Sequence, residues 1–405
     1  MTAVDSSVQA QVDAQLLEQG AFAPLELLFN SGRLLYSDYE SWRRREIELL
    51  DGALMGSGDK IKAELEKAAG YAKRIGLVEQ PQEFLPWHTD EAIPDAARSD
   101  RPLRISMDAQ LQRLIGSRYI RAQNVPQMDL FFDNPIVALT NGIVQALALR
   151  NLPNAQRQLD QLYAQAPTHA DLAAFDQLLA ALGHLGHPVE EPRGELAFLV
   201  EVTPTARRIL GAQSRDLLSP LWQQLASALA DAVFNPDEPN LHRSFALSQA
   251  QDWAAVGDCV QRELNWQQHA SLCLRVVESA FHRRRRVEAL AAWCHVCWRA
   301  PAGASEAATR LRQPELISLW NRFLDVEESL AEADFPSWLL IQEPALVLQL
   351  ASDLPSADTA AEQVYRVVHN CLSARRARRQ DEDLKQRKIL QARHPALFQL
   401  LRDAS

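Results

Sequence analysis

Two stretches far apart in the chain place small, bulky and helix-ending residues in one register, and that register constrains what the chain can fold into. Ala146, Ala155, Leu159, Leu162 and Pro167 in the first answer to Ala280, Ala289, Trp293, Val296 and Pro301 in the second. Two antiparallel helices need a small residue on each where their backbones approach, a bulky apolar residue one turn on, and a proline where the second helix stops. Both stretches supply all three. The first predicts a helix over 135–149, with Asn134 as cap and Pro135 at the first helical position, followed by a partner over 153–165. The second predicts a helix holding Leu272, Leu274, Val276, Val277 and Ala280, and a partner over 287–298. Arg283, Arg284, Arg285 and Arg286 then fall in the turn between them.

In this register the two stretches resemble degenerate tetratricopeptide repeats, units of about 34 residues. The match is partial. Leu139 stands where the family pattern has tryptophan, Gly142 lies one place before the expected glycine, and the second stretch has no glycine. The resemblance implies an all-α protein of antiparallel helical hairpins stacked as an irregular, tetratricopeptide-like α-solenoid. It also implies that the chain binds another protein or peptide along a concave surface, as a non-catalytic adaptor or scaffold with no cofactor.

Composition agrees with helix nearly throughout. Only 15 of 405 residues are glycine and 47% are apolar, so long disordered stretches are not expected. A chain this long exceeds one compact core, so several domains or a stacked array is expected. The start, Met1-Thr2-Ala3-Val4-Asp5, has no basic head or apolar run of a signal peptide, and no apolar run reaches membrane-spanning length. A cytoplasmic protein is the expectation, and five cysteines, an odd number, suit a reducing compartment. The net charge of −10 is uneven: from Arg366 onward ten basic residues face four acidic ones, +6, leaving −16 on residues 1–365. An acidic body disfavours general nucleic-acid binding, which rests on phosphate neutralisation.

Along the chain, residues 1–77 read as an N-terminal helical subdomain, with helices over 8–18 and 24–30 and a capping box, Ser37 with Glu40, opening a helix through Trp42, Ile47, Leu50 and Leu54. Residues 78–104, punctuated by Pro81, Pro86, Pro94 and Pro102, read as a crossing segment. Residues 105–234 read as helical hairpins: Ser106 caps a helix to Arg121, another spans 172–185, and Pro220 opens one through Trp222, Leu225, Leu229 and Val233. The run over 195–203 fits either helix or strand. Residues 235–355 read as the repeat region, with helices over 241–249, 251–264, 268–281, 287–298, 314–331 and 336–351. Residues 356–405 read as a C-terminal basic helix begun by a Thr359/Glu362 capping box. Seven of the nine tryptophans lie between Trp222 and Trp338, about one per helix, which suits packing between helices.

Chemical motifs are absent. Cys294-His295-Val296-Cys297 puts two thiols and an imidazole close together, but no second ligand pair stands nearby, so these residues read as helix packing and no metal is expected. Gly56-Ser57-Gly58-Asp59-Lys60 lacks the P-loop spacing and reads as a helix-helix turn. Two clusters are candidate partner-binding residues: the aromatic-basic group Tyr36, Trp42, Arg43 and Arg44, with Tyr39 beside it, and the arginines Arg283, Arg284, Arg285 and Arg286. The alternatives to an adaptor are a nucleic-acid-associated regulator using the arginine clusters, and an enzyme or enzyme subunit with a site of scattered residues between the subdomains.

Overall fold

The computed structural model describes residues 8–9, 11–16, 20–87, 101–121, 135–326, 330–350 and 358–404. Asn134, read above as a cap, lies outside them, as do parts of the 78–104, 314–331 and 336–351 segments. The protein is mostly helical and divides into two compact units, Met1–Asp252 and Trp253–Ser405. No helix among the described residues is long and apolar enough to cross a membrane.

The first unit begins with a small antiparallel sheet of order β1-β3-β2, from Ala21–Phe22 (β1), Leu77–Pro81 (β2) and Ser117–Arg121 (β3). Leu77 pairs with Arg121 and Pro81 with Ser117. Around it lie α1 (Pro24–Asn30), α2 (Tyr36–Arg43), α3 (Gly58–Arg74) and α4 (Ala109–Ile115). Helix α3 buries Ile61, Leu65, Ala68, Ala69 and Ala72, one stripe at helical spacing, against β2, β3 and α4.

Two expected helices are shorter than their sequences suggest. The helix expected to reach Arg121 stops at Ile115, because Gly116 leaves no room for a side chain beside the Gln112 carbonyl and the alternating Ser117–Arg121 run pairs as β3. The helix expected from Ser37 to Leu54 begins at Tyr36 and ends at Arg43, and a 3-10 turn covers Leu50–Ala53. No Ser37 capping box forms, since the Glu40 carboxylate turns inward to Arg150 at 3.0 Å and Arg45 takes a left-handed backbone, φ 62°.

The rest of this unit is α5 (Pro135–Ala148), α6 (Leu152–Gln165), α7 (Leu172–His184), α8 (Pro192–Leu210), α9 (Ser214–Ala228) and α10 (Arg243–Gln249). Residues 195–203 are helical, inside α8, where the N–H missing at Pro204 spares only the carbonyl of half-exposed Val200. Pro220 does not open α9 but lies within it. The acceptor it leaves, the Asp216 carbonyl, takes the Nε of Arg150 at 2.8 Å.

The second unit contains α11 (Trp253–Gln261), α12 (Ala270–His282), α13 (Arg286–Arg299), α14 (Ala304–Leu311), α15 (Pro314–Leu324), α16 (Phe335–Gln342), α17 (Leu346–Gln349), α18 (Ala360–Arg376), α19 (Gln380–Arg393) and α20 (Pro395–Asp403). The tryptophans pack between helices: Trp293 meets Trp320 edge-on at 5.5 Å, and Trp298 meets Tyr365 at 5.1 Å. The Thr359/Glu362 capping box forms as the sequence indicates. The single basic helix expected after it is instead three, α18 to α20. Arg378 turns the chain with φ 56°, and Pro395, which has no N–H to continue α19, opens α20.

Three hairpins share one turn. At α5–α6, α12–α13 and α18–α19 the first helix ends in a left-handed arginine: Arg150 (φ 56°), Arg284 (φ 58°) and Arg378 (φ 56°). Each turn closes with the same pair of hydrogen bonds, such as Arg285 N–H to Ala280 O at 2.8 Å and Arg284 N–H to Phe281 O at 3.0 Å. The buried alanine four places before each arginine is Ala146, Ala280 or Ala374. Proline follows seventeen places later in all three, at Pro167, Pro301 and Pro395. In the third hairpin Asp383 stands where the others bury Ala155 and Ala289, and Arg375 and Arg387 hold it at 3.4 and 2.9 Å.

Candidate functional site

The arginine turn of the second unit opens onto a cleft of about 690 Å³. One face of α13 forms its floor. Glu288, Ala291, Ala292 and His295 recur at the spacing that puts them on one side of a helix, and the two alanines leave the floor low. Arg284 and Arg285 stand exposed at one end. Half-exposed Trp266, on a 3-10 turn after α11, borders the cleft near His295, its ring 6.1 Å from the imidazole. Leu264, two residues before Trp266, is 89% exposed.

Electrostatics divides these cations. Arg286 is held by Glu315 and, through both carboxylate oxygens, by Glu343 at 2.8 Å, so it braces α13. Arg285 meets Glu288 at 3.2 Å with its side chain half in water, a contact that screening keeps weak. His295 is buried. Burial, and then the positive charge of Arg299, push its imidazole down to about 4, so the ring is neutral at pH 7.

Cys294 and Cys297 lie buried on the same helix, and burial raises the Cys297 thiol well above its ordinary value. No group of three or more His, Cys, Asp or Glu side chains that could hold a metal ion occurs among the described residues. A buried, protonated thiol is a poor nucleophile and a poor ligand, so the Cys294–Cys297 stretch packs its helix.

The other candidate cluster lies inside the first unit. Tyr36, Trp42 and Arg43 are buried, and of the four only Arg44 reaches solvent. Arg43 sits between the Trp87 ring, 4.5 Å away, and Asp216, 3.3 Å away, and it also donates to the Tyr39 hydroxyl. Arg150, the left-handed turn residue, stacks 3.7 Å over Trp87 and reaches the Tyr36 hydroxyl at 3.2 Å and Glu40. Arg215 pairs with Glu26 at 2.7 Å and stacks 4.4 Å from the Phe29 ring centre. Three arginines and three carboxylates therefore share one interior. Burial raises the Glu26 and Asp216 carboxyls above their usual range, against the pull of Arg215 and Arg43.

Comparison with protein-family models, curated proteins and solved structures returned no match. The functional reading therefore rests on geometry. Sequence reasoning placed Arg283, Arg284 and Arg285 in a turn as observed, but Arg286 opens α13 instead, and Trp266 and His295 were missed as neighbours of that turn. It also missed Asp216 as the ion partner of Arg43, and Glu26, Arg150 and Arg215 as members of the same buried charge cluster. The buried charges had no sequence signal, because each partner comes from a distant helix.

Proposed function

We propose that the protein is a non-catalytic adaptor whose second unit binds an acidic segment of another protein in the α13 cleft. The observation that carries this reading is the cleft itself. A low alanine floor runs alongside two exposed arginines, Arg284 and Arg285, and a half-exposed tryptophan, Trp266. Arginine and tryptophan are enriched among the residues that dominate interface energies, and exposed charge selects the sign of the partner.

The three hairpins with a common turn support a tetratricopeptide-like reading of the chain, in which helical hairpins present a concave surface to a partner. Among the described residues no convergent set of nucleophile, base and oxyanion donor lines the cleft, which favours binding over catalysis. A cytoplasmic location fits the thiols, since no disulfide joins cysteines among the described residues.

Fluorescence anisotropy with labelled peptides tests the reading. An acidic peptide carrying one aromatic or leucine side chain binds and a lysine-substituted counterpart does not. Arg284→Glu with Arg285→Glu lowers affinity about tenfold or more, with strong salt dependence. Equal binding of both peptides, or a preference for single-stranded or duplex nucleic acid over the acidic peptide, overturns it.

A further inference from the structure

The cavity beside the buried charges of the first unit is independent of the α13 cleft and of its proposed partner. It encloses about 140 Å³, between α1, α2, the segment after β2, α5 and the start of α9. That is well below the roughly 300 Å³ at which pockets begin to take drug-sized ligands.

Its walls carry both signs of charge. Buried Glu26 and Asp216 and exposed Glu83 offer carboxylates, Arg43 and Arg215 offer guanidinium groups, and Gln145 and Gln213 add neutral donors and acceptors. Arg215 Nε is buried and has no hydrogen-bond partner among the described residues, although its Nη1 pairs with Glu26. A buried donor of this kind favours an acceptor, and a ligand carboxylate supplies one.

Charge then decides the ligand class. A plain anion faces Glu26 and Asp216 across a desolvated space, and a plain cation faces Arg43 and Arg215. A molecule carrying both charges a few bonds apart meets complementary groups on each side. We propose that this cavity is a binding site for a small zwitterion, an α-amino acid, with its carboxylate on Arg215 and its ammonium group on Glu26 and Asp216. Such a ligand joins segments far apart in the chain and stabilises the unit that holds them.

Thermal unfolding of the full-length protein, with the protein α-amino acids screened singly at millimolar concentration and followed by calorimetric titration, tests the assignment. At least one amino acid raises the transition by about 3–5 °C at tenfold excess over its dissociation constant. Acetate and methylamine, each carrying one half of the charge, leave it in place. Arg215→Gln abolishes the rise. Because that change removes a buried ion pair, Gln213→Trp provides a second variant: it fills the cavity from a half-buried position and spares all five charged groups of its lining. This variant melts where the wild type does and no longer responds. No response to any amino acid overturns the proposal, as does an equal response to acetate or to methylamine, or a response that Gln213→Trp leaves intact.

Discussion

Arg150 donates from Nε to the carbonyl of Asp216 at 2.8 Å, the acceptor that Pro220 cannot serve one turn further along α9. A proline in the middle of a buried helix thus becomes a docking point for the hairpin turn of α5 and α6. The same guanidinium reaches Glu40 at 3.0 Å and the Tyr36 hydroxyl at 3.2 Å. Arg150→Met leaves buried Glu40 only its 3.8 Å contact with solvent-exposed Arg44 and costs about 3 kcal/mol in urea unfolding. In a Pro220→Ala background, where the substituted residue supplies the missing N–H, the penalty falls by about 1 kcal/mol. Identical penalties in the two backgrounds contradict the link.

The left-handed arginines separate strain from function. A side chain in this backbone region costs roughly 1–2 kcal/mol that glycine avoids, part of which glycine returns through the entropy of its unfolded chain. Arg378→Gly therefore stabilises the protein by about 0.5 kcal/mol, while Arg150→Gly destabilises it because the interior contacts of Arg150 are lost. Equilibrium denaturation of the two variants checks the order, and a gain for Arg150→Gly contradicts it.

His295 gives the second unit a pH dependence. Its imidazole stays neutral in the fold down to about 4, against an ordinary value of 6.5. Between those values the unfolded chain takes up a proton that the folded chain refuses, so stability is full above pH 6.5 and declines as pH falls toward 4. The loss assigned to this one residue is on the order of 3 kcal/mol. His295→Leu removes it, and the difference between the two unfolding profiles from about pH 7 to about pH 4.5 measures it. Parallel profiles refute this assignment.

The thiols divide in the same way. Burial pushes Cys273 and Cys371 up to about 12 and raises Cys297 well above its ordinary value, while Cys259 is only half-buried. Iodoacetamide at about pH 8 labels Cys259 first in the native protein, and the other thiols react only on unfolding. Rapid labelling of Cys297 contradicts the packing role of the Cys294–Cys297 stretch.

Sequence periodicity revealed α3, α5 to α7, α12 and α13, because each presents an apolar stripe to a neighbour and ends on a recognisable residue. It did not reveal the sheet. β3 is a five-residue strand directly after a helix, and its alternation is too short to outweigh the helical pattern before it. The third hairpin was legible in principle, since Ala374 and Pro395 repeat the spacing of Ala280 and Pro301. Charge hid it: Asp383 and Arg387 fill positions where the other hairpins carry apolar side chains, so α19 reads as a solvated basic helix. The cleft was half legible. Its arginines form an obvious run, but Trp266 and His295 come together only when α11, α12 and α13 fold.

A photo-crosslinking residue placed at Ala291, on the floor of the cleft, tests the central claim most directly. Adducts formed in the native cellular environment and sequenced by mass spectrometry map to an acidic, aromatic- or leucine-containing segment of one protein, and they disappear with Arg284→Glu and Arg285→Glu. The same residue at Val233, 79% exposed in the first unit, yields none of them. Adducts to nucleic acid, or peptides without acidic bias that are equally abundant from Val233, contradict the account.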